Sequence, residues 1–536
     1  MPSKLWFHCR SLFGQRDRLN EYEALLQRLG RFLDRRLYLD ALDRMYPPLH
    51  KALLEHVDSN RLKDRPTDEA AQSILAYLEH EAKRRLKRFP LDGLLFALMG
   101  REVLYQGLES GHLKYWSVSH DVNALNRLAG FASEVPYHPT PTPSILPLLL
   151  AYALAERHAF VEHNLDVCQV SDIQVDVGRL IHEAIEPDDF AQHWEDIAAD
   201  YRVYEEYEYQ SDAGPSIEKK LKHAWDRLTA DQNVLMRRYF GFGLEDFALL
   251  TVVIGGLAEE GNIVFPVEEL GLSKVFAGGI SPEAIHAILE AFTWAPHVVP
   301  NGSIWHPDFK PMLGLELDGT RWSLVTPRAC AGALTSFWNV VKMNAYLQRY
   351  LSQRDAEEFA RGNEPYRRHH SIELCYKVAD TLLARGLRLP ISGELPRISI
   401  AKLPSERGAI RVGHPQNLGD LDVVAADLQS REVLVCECKL WRVALSATET
   451  VRIDLAKAEE ALPKVRARHE WLANHWHLLG NLLGIGNASN YRLRTLVVTA
   501  RPNFMAARFK DPDVEFVSFG ALLRRGSAGS NDGRPA

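Results

Sequence analysis

Two short apolar segments that carry acidic residues at alternating positions constrain the fold of this chain more than any other feature. The first segment, residues 419–426, reads GDLDVVAA, and the second, residues 432–439, reads EVLVCECK. Their length and their β-branched content are typical of strands, and the mostly polar residues 427–431 between them can form a turn. The sequence therefore predicts an antiparallel β-hairpin at this position.

The register of this hairpin determines which polar side chains meet. With the turn centred between residues 429 and 430, Asp422 lies opposite Glu437, and Asp420 lies opposite Lys439. Residues i and i+2 of a strand share a face, so these four side chains are expected to project to one side. The other face is expected to be buried and to carry Leu421, Val423, Cys436 and Cys438.

A pair of opposed carboxylates points to a bound cation. Directly opposed Cβ atoms in a hairpin lie about 4.5–5.5 Å apart, and two carboxylates held that close repel each other unless a cation lies between them. Carboxylate oxygens with room for water suit Mg²⁺ or Mn²⁺. A neighbouring lysine can orient the metal-activated water or stabilise charge that develops on phosphorus. The chemistry expected of Asp422, Glu437 and Lys439 is therefore metal-dependent hydrolysis of a phosphodiester.

The pattern Asp422 … Glu437-Cys-Lys439 resembles the core of the PD-(D/E)XK nucleases, also called restriction-endonuclease-like. Within that superfamily it is most similar to the Mrr-like restriction endonucleases and the archaeal-type Holliday-junction resolvases. The resemblance implies that Asp422 and Glu437 bind the metal, that Lys439 is the catalytic lysine, and that DNA is the substrate. The family's further glutamate, on its first helix, matches Glu373 in IELCYKVADTLLARG, residues 372–386. Asp420 is an accessory candidate for the metal.

The order of the predicted elements is also similar to that of the family. A helix is expected at 366–385, ended by Gly386, followed by the hairpin, a helix at 453–476, and strands at 495–499 and 514–519. These elements predict an α/β restriction-endonuclease-like domain with an αβββαβ core over residues 362–525. Five basic residues in and just before the second helix are candidates for binding DNA phosphates: Arg452, Lys457, Lys464, Arg466 and Arg468.

Charge is unevenly distributed along the chain. The formal net charge is -7, but residues 362–536 contain 25 Lys and Arg against 19 Asp and Glu, a balance of +6, which leaves -13 for residues 1–361. This asymmetry argues against a chain that lies along DNA over its whole length, and it is consistent with a polyanion near the C-terminal third. The segment 183–218 is strongly acidic, with Arg202 as its one basic residue. It is interpreted as a solvated helical face, an interaction surface or a decoy for a basic site.

The region before residue 362 is predicted to be mainly α-helical. Apolar residues recur at helical spacing in 25–33, 74–78 and 94–98, and four prolines in 134–143 indicate a linker. Asp-Gly at 318–319, between alternating runs, predicts a second hairpin over 312–325, followed by a helix at roughly 328–352 and a charged break at 354–363. The predicted segments are a helical domain (1–135), a helical domain with the acidic segment (144–305), a hairpin with a connecting helix (306–361), the nuclease domain (362–525) and a disordered tail (526–536).

Composition and apolar runs indicate the compartment. The chain is 46% hydrophobic and 25% charged, as in ordinary globular proteins, and its six scattered cysteines do not form a disulfide scaffold. Its longest apolar runs, 145–155 and 248–257, are shorter than the ~20 residues that span a bilayer, and the N-terminus has no signal-peptide pattern. We therefore expect a cytoplasmic protein without membrane contact. The sequence makes no prediction of the oligomeric state.

Three functions remain open at this point. The first is a metal-dependent DNA endonuclease of bacterial restriction or anti-phage defence, with an N-terminal region that senses a partner or trigger. A nuclease of DNA repair or junction resolution is the second form of the same enzyme class. The second function is a non-catalytic DNA-binding or scaffold subunit with a degenerate nuclease domain. A separate alternative is that Asp422, Glu437 and Lys439 are an ordinary surface cluster. The third is a helical interaction protein whose acidic segment, 183–218, is the binding surface.

Overall fold

The structure is a computed structural model that describes most of the chain. It describes residues 35–88, 90–109, 115–135, 145–171, 175–185, 230–257, 265–268, 279–294, 309–317, 320–390, 398–400, 418–441, 447–486, 488–509 and 511–527. The described residues fall into two compact units. The first unit contains those before 341, together with 346–359, and the second contains 341–345 and those from 360 onward.

Several sequence predictions concern residues outside the described ranges. These are the apolar repeat at 25–33, most of the proline-rich linker at 134–143, the acidic segment beyond residue 185, and the tail beyond residue 527. The division of the chain into five segments likewise stays a prediction.

The first unit begins with helices, as its apolar periodicity predicts. They are α1 (Arg35–Ser59), α2 (Thr67–Leu86), α3 (Pro90–Glu109), α4 (Tyr115–Glu134), α5 (Ile145–Ser171), α6 (Val177–His182), α7 (Ala230–Phe240) and α8 (Leu244–Leu257). The apolar positions predicted to face the core are buried: Ile74, Leu75 and Leu78 in α2, and Leu94, Leu95 and Leu98 in α3. Among the residues that the structure describes, no helix has both the length and the apolar character needed to cross a membrane.

Asp92, in the first turn of α3, is a buried carboxylic acid. Its side chain is 5% exposed, and its Oδ2 atom has no hydrogen-bond partner among the described residues. Burial disfavours the charged form and raises the pKa of Asp92 to about 7. The resulting stabilisation of the folded state is complete below the unfolded pKa of about 3.9 and is lost as the pH rises toward 7.

We therefore expect Asp92→Asn to gain stability relative to wild type as the pH rises. Between pH 5 and pH 8 the difference in free energy of unfolding should shift in favour of the variant by about 2–3 kcal/mol, because asparagine has no charged form to bury. Urea unfolding of both proteins at the two pH values measures this shift. A difference that is the same at pH 5 and pH 8 would contradict it.

A small sheet follows in the first unit. Its elements are β1 (Phe265–Glu268), α9 (Pro282–Phe292), β2 (Thr293–Trp294), β3 (Met312–Leu317) and β4 (Thr320–Val325), with strand order β1-β4-β3-β2. The antiparallel pair β3 and β4 ends with Leu317 opposite Thr320. The predicted hairpin over 312–325 is therefore confirmed, and residues 318–319 at its tip lie outside the described residues.

The next two helices differ in length from their predictions. Helix α10 (Pro327–Met343) ends nine residues before the predicted end at 352, because Asn344 and Tyr346 have positive φ angles of 51° and 56°. A short 3₁₀ helix, Leu347–Arg349, follows. Such left-handed residues interrupt the helical hydrogen-bond pattern.

Helix α11 (Gln353–Ala384) shows that the predicted charged break at 354–363 and the predicted helix start at 366 are wrong. Ser352 Oγ accepts a hydrogen bond from the Asp355 N–H, which caps the helix start, and Arg354 pairs with Glu358 one turn later. The charges that suggested a break therefore stabilise helix. The predicted end is confirmed, with Gly386 at a positive φ of 82° just beyond the last turn.

The second unit is built around a small mixed sheet. After α11 come β5 (Ile398–Ser399), β6 (Asp420–Leu421), β7 (Val423–Asp427), β8 (Glu432–Lys439), α12 (Ala447–Ala473), α13 (Trp476–Leu483), β9 (Arg492–Thr499), α14 (Met505–Arg508), β10 (Val514–Ser518) and α15 (Phe519–Ser527). The main sheet has the order β10-β9-β8-β7, in which β7 and β8 are antiparallel and β8, β9 and β10 are parallel. The coarse prediction of a mainly helical chain with a C-terminal α/β domain is confirmed.

The predicted register of the central hairpin is confirmed within β7 and β8. Asp427 lies opposite Glu432, and Val423 lies opposite Cys436. The pairing ends there, because Asp422 forms a bend between β6 and β7. Asp420 is paired with Ser399 of β5, and Asp422 lies outside the ladder of β7 and β8. The predicted pairings of Asp420 with Lys439 and of Asp422 with Glu437 are therefore wrong.

Helices cover both faces of this sheet. On one face, Val423, Cys436 and Cys438 pack with residues of α11 and α15, including Leu374, Cys375, Val378, Leu382 and Phe519. On the other face, Leu421, Val424 and Val435 pack with residues of α12 and α13, including Trp471, Leu472, Leu478 and Leu479. The prediction that Leu421 and Val423 share a face is wrong, because the bend at Asp422 breaks the alternation.

Candidate functional site

The carboxylate of Asp422 reaches across to the end of the neighbouring strand. Its Oδ2 atom accepts a hydrogen bond of 2.9 Å from the backbone N–H of Cys438, and the residue is 5% exposed. Cys438 lies between Glu437 and Lys439 in β8. The bend that ends the ladder thus replaces one backbone hydrogen bond with a side-chain hydrogen bond. It brings Asp422 to the same strand end as the Glu-x-Lys pattern.

Glu437 and Lys439 form a short ion pair at the C-terminal end of β8. The Nζ atom of Lys439 lies 2.6 Å from Oε1 of Glu437. The glutamate side chain is 9% exposed, whereas the lysine side chain is 34% exposed. The ammonium group is therefore at the boundary between a buried carboxylate and solvent.

The other oxygen of Glu437 is held by Arg468 of α12. Arg468 is 4% exposed, its guanidinium donates to Glu437 Oε2, and its Nε donates to the carbonyl of Leu418 at 2.8 Å. Burial opposes ionisation of Glu437, but the charges of Arg468 and Lys439 outweigh it and hold the pKa of Glu437 below its usual value. The prediction that Arg468 is available for a DNA phosphate is wrong, because its donors already satisfy this buried carboxylate and a backbone carbonyl.

Gly419 lies directly against this arginine. Its φ angle is +73°, in the region that favours glycine, and a Cβ atom there would lie 3.3 Å from Nη2 of Arg468. Gly419, the first residue of the predicted strand, has no side chain and therefore leaves room for the buried guanidinium of Arg468.

Glu373 lies on α11, as predicted, and two of its contacts are with residues of the same helix. Its carboxylate is 3.5 Å from Nδ1 of His370 and 3.5 Å from Nζ of Lys377, and its side chain is 29% exposed. Burial lowers the pKa of His370. A different residue of the same helix, Cys375, has its sulfur within 4.8 Å of the carboxylate of Asp422.

Two thiols therefore lie beside Asp422. Cys438 was predicted only to face the core, and Cys375 was assigned no role from the sequence. The Sγ atoms of Cys375 and Cys438 and a carboxylate oxygen of Asp422 all lie within 4.8 Å of one another, and all three residues are buried. The hydrogen bond with Cys375 and burial raise the pKa of Cys438, and burial raises the pKa of Cys436 to about 12. No spacing in the sequence signals this proximity, because it depends on how α11 packs on the sheet.

The remaining basic candidates lie on α12, and they are exposed. Lys457 pairs with Glu460 at 2.6 Å, and Arg466 pairs with Asp511 at 2.9 Å. Exposed ion pairs are weak and exchange readily for other charges, so these side chains remain compatible with phosphate binding. The exposed candidates are Arg452, Lys457, Lys464 and Arg466.

Comparison of the chain with protein-family models, with curated proteins and with solved structures finds no match in any of the three.

Proposed function

We propose that this protein is a divalent-metal-dependent DNA endonuclease whose catalytic residues are Asp422, Glu437 and Lys439. The observation that carries the proposal is the end of β8, where the Lys439 ammonium lies 2.6 Å from Glu437 and Asp422 binds the backbone N–H between them. The lysine and one acid thus meet at the end of β8, the second acid binds the backbone of the same strand end, and the lysine is partly open to solvent.

The fold supports the same proposal. A helix, an antiparallel strand pair, a further helix and a parallel strand follow one another in the order expected of a restriction-endonuclease-like core. The exposed basic residues of α12 and the +6 balance of residues 362–536 favour a polyanionic substrate. A role in restriction or anti-phage defence is the biological function that the resemblance favours, with repair as the alternative.

Both oxygens of Glu437 already accept hydrogen bonds from Lys439 and Arg468, so a hard cation would have to displace one of these contacts. Mg²⁺ and Mn²⁺ prefer carboxylate oxygens and water over sulfur, so the carboxylates of Glu437 and Asp422 would be its ligands. Bound there, the metal would supply a water of lowered pKa. Arg468 keeps Glu437 ionised and oriented. The ammonium of Lys439 can donate a hydrogen bond to a non-bridging phosphate oxygen as negative charge develops on that oxygen.

A plasmid assay tests this function. Wild-type protein is incubated with supercoiled plasmid and Mg²⁺ or Mn²⁺, with a chelator as the blank, beside Glu437→Gln and the control Glu69→Gln, an exposed acid of α2. We expect nicked and linear DNA from wild type and control only, and none in the chelator blank. An intact plasmid with wild type and either metal, or full cleavage by Glu437→Gln, would contradict the proposal.

One observation favours a second candidate, a DNA-binding subunit without catalysis. Arg468 and Lys439 already neutralise Glu437, which is an arrangement that needs no metal. This candidate predicts no cleavage with any metal, together with DNA binding that weakens steeply with salt. A mobility-shift titration at two salt concentrations, run beside the plasmid assay, separates the two functions.

A further inference from the structure

Cys375, Asp422 and Cys438 bring three potential metal ligands together from three different elements. Cys375 belongs to α11, Asp422 lies at the bend before β7, and Cys438 lies in β8. Their donor atoms lie within 4.8 Å of one another, and the residues are only 1%, 5% and 4% exposed. In the part of the chain that the structure describes, no other group of His, Cys, Asp and Glu is clustered in this way.

The donor set selects a class of cation. Two sulfurs and one carboxylate oxygen suit Zn²⁺ and similar thiophilic ions, whereas Mg²⁺ and Mn²⁺ take oxygen ligands. Zn–S bonds of about 2.3 Å place tetrahedral sulfur ligands roughly 3.8 Å apart. A separation of up to 4.8 Å therefore needs a contraction of about 1 Å, which side-chain rotation can supply.

These three side chains are also arranged as ligands of a metal site would be, and not as residues that only pack in an apolar core. The Cys375 thiol donates a hydrogen bond to the carbonyl of Ser371, and the sulfurs of Cys375 and Cys438 lie beside a carboxylate held in place by the Cys438 backbone N–H. Cys436, two residues away in β8, is equally buried in the same cluster and is not part of the group. The position of Asp422 therefore distinguishes Cys438 from its neighbouring thiol.

We infer that Cys375, Asp422 and Cys438 form a binding site for a thiophilic divalent cation of the Zn²⁺ class. The ion would link helix α11 to strand β8. Binding converts two thiols to thiolates and releases their two protons to solvent, so that the ion and three ligands carry one net negative charge. The fourth position of a tetrahedral ion would be filled by water. This site goes beyond the proposed nuclease function, and its tests do not require nuclease activity. It shares Asp422 with the proposed catalytic metal, so the two ions would compete for that carboxylate.

Cobalt provides a direct test because Co²⁺ bound to thiolate absorbs in the near ultraviolet. The full chain is reduced, stripped with a chelator and titrated with Co²⁺. We expect a thiolate-to-cobalt band that saturates at one ion per chain and disappears when Zn²⁺ is added. Cys375→Ser and Cys438→Ser should lose the band, whereas the matched control Cys436→Ser should keep it.

Thermal unfolding supplies a second measurement that does not depend on the band. Zn²⁺ should raise the Tm of wild type and of Cys436→Ser, because it binds the folded state, and should leave the Tm of Cys375→Ser unchanged. Three results would overturn the site: no thiolate band in wild type, a band that survives in both cysteine variants, or equal loss in Cys436→Ser. If the unreduced, denatured protein has two fewer free thiols than its six cysteines, a disulfide is present, and this result would also overturn the proposed metal site.

Discussion

Replacing Lys439 with alanine should reduce metal-dependent plasmid cleavage by about 10²–10³-fold, as does the removal of one preorganised donor from other active sites. The ammonium is held 2.6 Å from Glu437 and is 34% exposed, so it is positioned before the substrate arrives and can still reach it. A positioned charge stabilises the transition state without reorganisation. The loss should therefore appear in the rate at saturating DNA.

DNA binding by the same variant should change far less. One lysine that contacts one phosphate contributes a slope of about one in the dependence of log affinity on log salt. We expect the salt slope of Lys439→Ala to fall by about one and its affinity at low salt to remain close to that of wild type. Single-turnover cleavage and a binding titration on the same DNA measure the two effects separately.

The control for Lys439 is another lysine in a short ion pair. Lys63 lies 2.8 Å from Asp58 and is exposed in the first unit. Lys63→Ala removes the same positive charge and should cleave at the wild-type rate. If Lys439→Ala and Lys63→Ala cleave equally well, Lys439 is not a catalytic residue.

The hairpin was the most predictable part of the fold, for a simple physical reason. Its two predicted segments are short and apolar, and the five mostly polar residues 427–431 between them fix the position of the turn, which determines the pairing. The pattern of polar and apolar residues within the segment does not reveal the bend at Asp422, because that bend depends on a hydrogen bond from the N–H of Cys438, sixteen residues away. For the same reason the short strand pair of Ser399 with Asp420 was missed.

The candidate site shows the same limit at longer range. The proximity of Cys375 to Asp422 depends on how α11 packs on the sheet, and no spacing in the sequence records it. The buried position of Arg468 could have been predicted from the sequence. It lies three residues after Val465 and four before Leu472, both buried, so helical periodicity places it on the buried stripe of α12. A buried arginine requires a buried acid, and Glu437 is that acid.

The second large effect is expected from Arg468→Ala, which should lower the free energy of unfolding by about 3–5 kcal/mol. The substitution leaves Glu437 buried with Lys439 as its one remaining basic partner among those described, and it removes the donor to the carbonyl of Leu418. The control is Arg466→Ala. Arg466 lies two residues earlier on α12, is exposed and pairs with Asp511. That variant should lose no more than about 1 kcal/mol.

Two further measurements on Arg468→Ala distinguish a lost ion pair from a packing defect. If the loss reflects an uncompensated carboxylate, adding Glu437→Gln to Arg468→Ala should restore part of the stability, which a double-mutant cycle quantifies.

The pH dependence of the stability is the second measurement. The lowered pKa of Glu437 stabilises the folded state above the unfolded pKa of about 4.3, and this contribution is lost as the pH falls through the folded pKa. The difference between wild type and Arg468→Ala should therefore shrink from pH 7 to pH 3. A loss as small as that of Arg466→Ala, or one that is independent of pH and of Glu437, would show that Arg468 does not neutralise the carboxylate on which the proposed site depends.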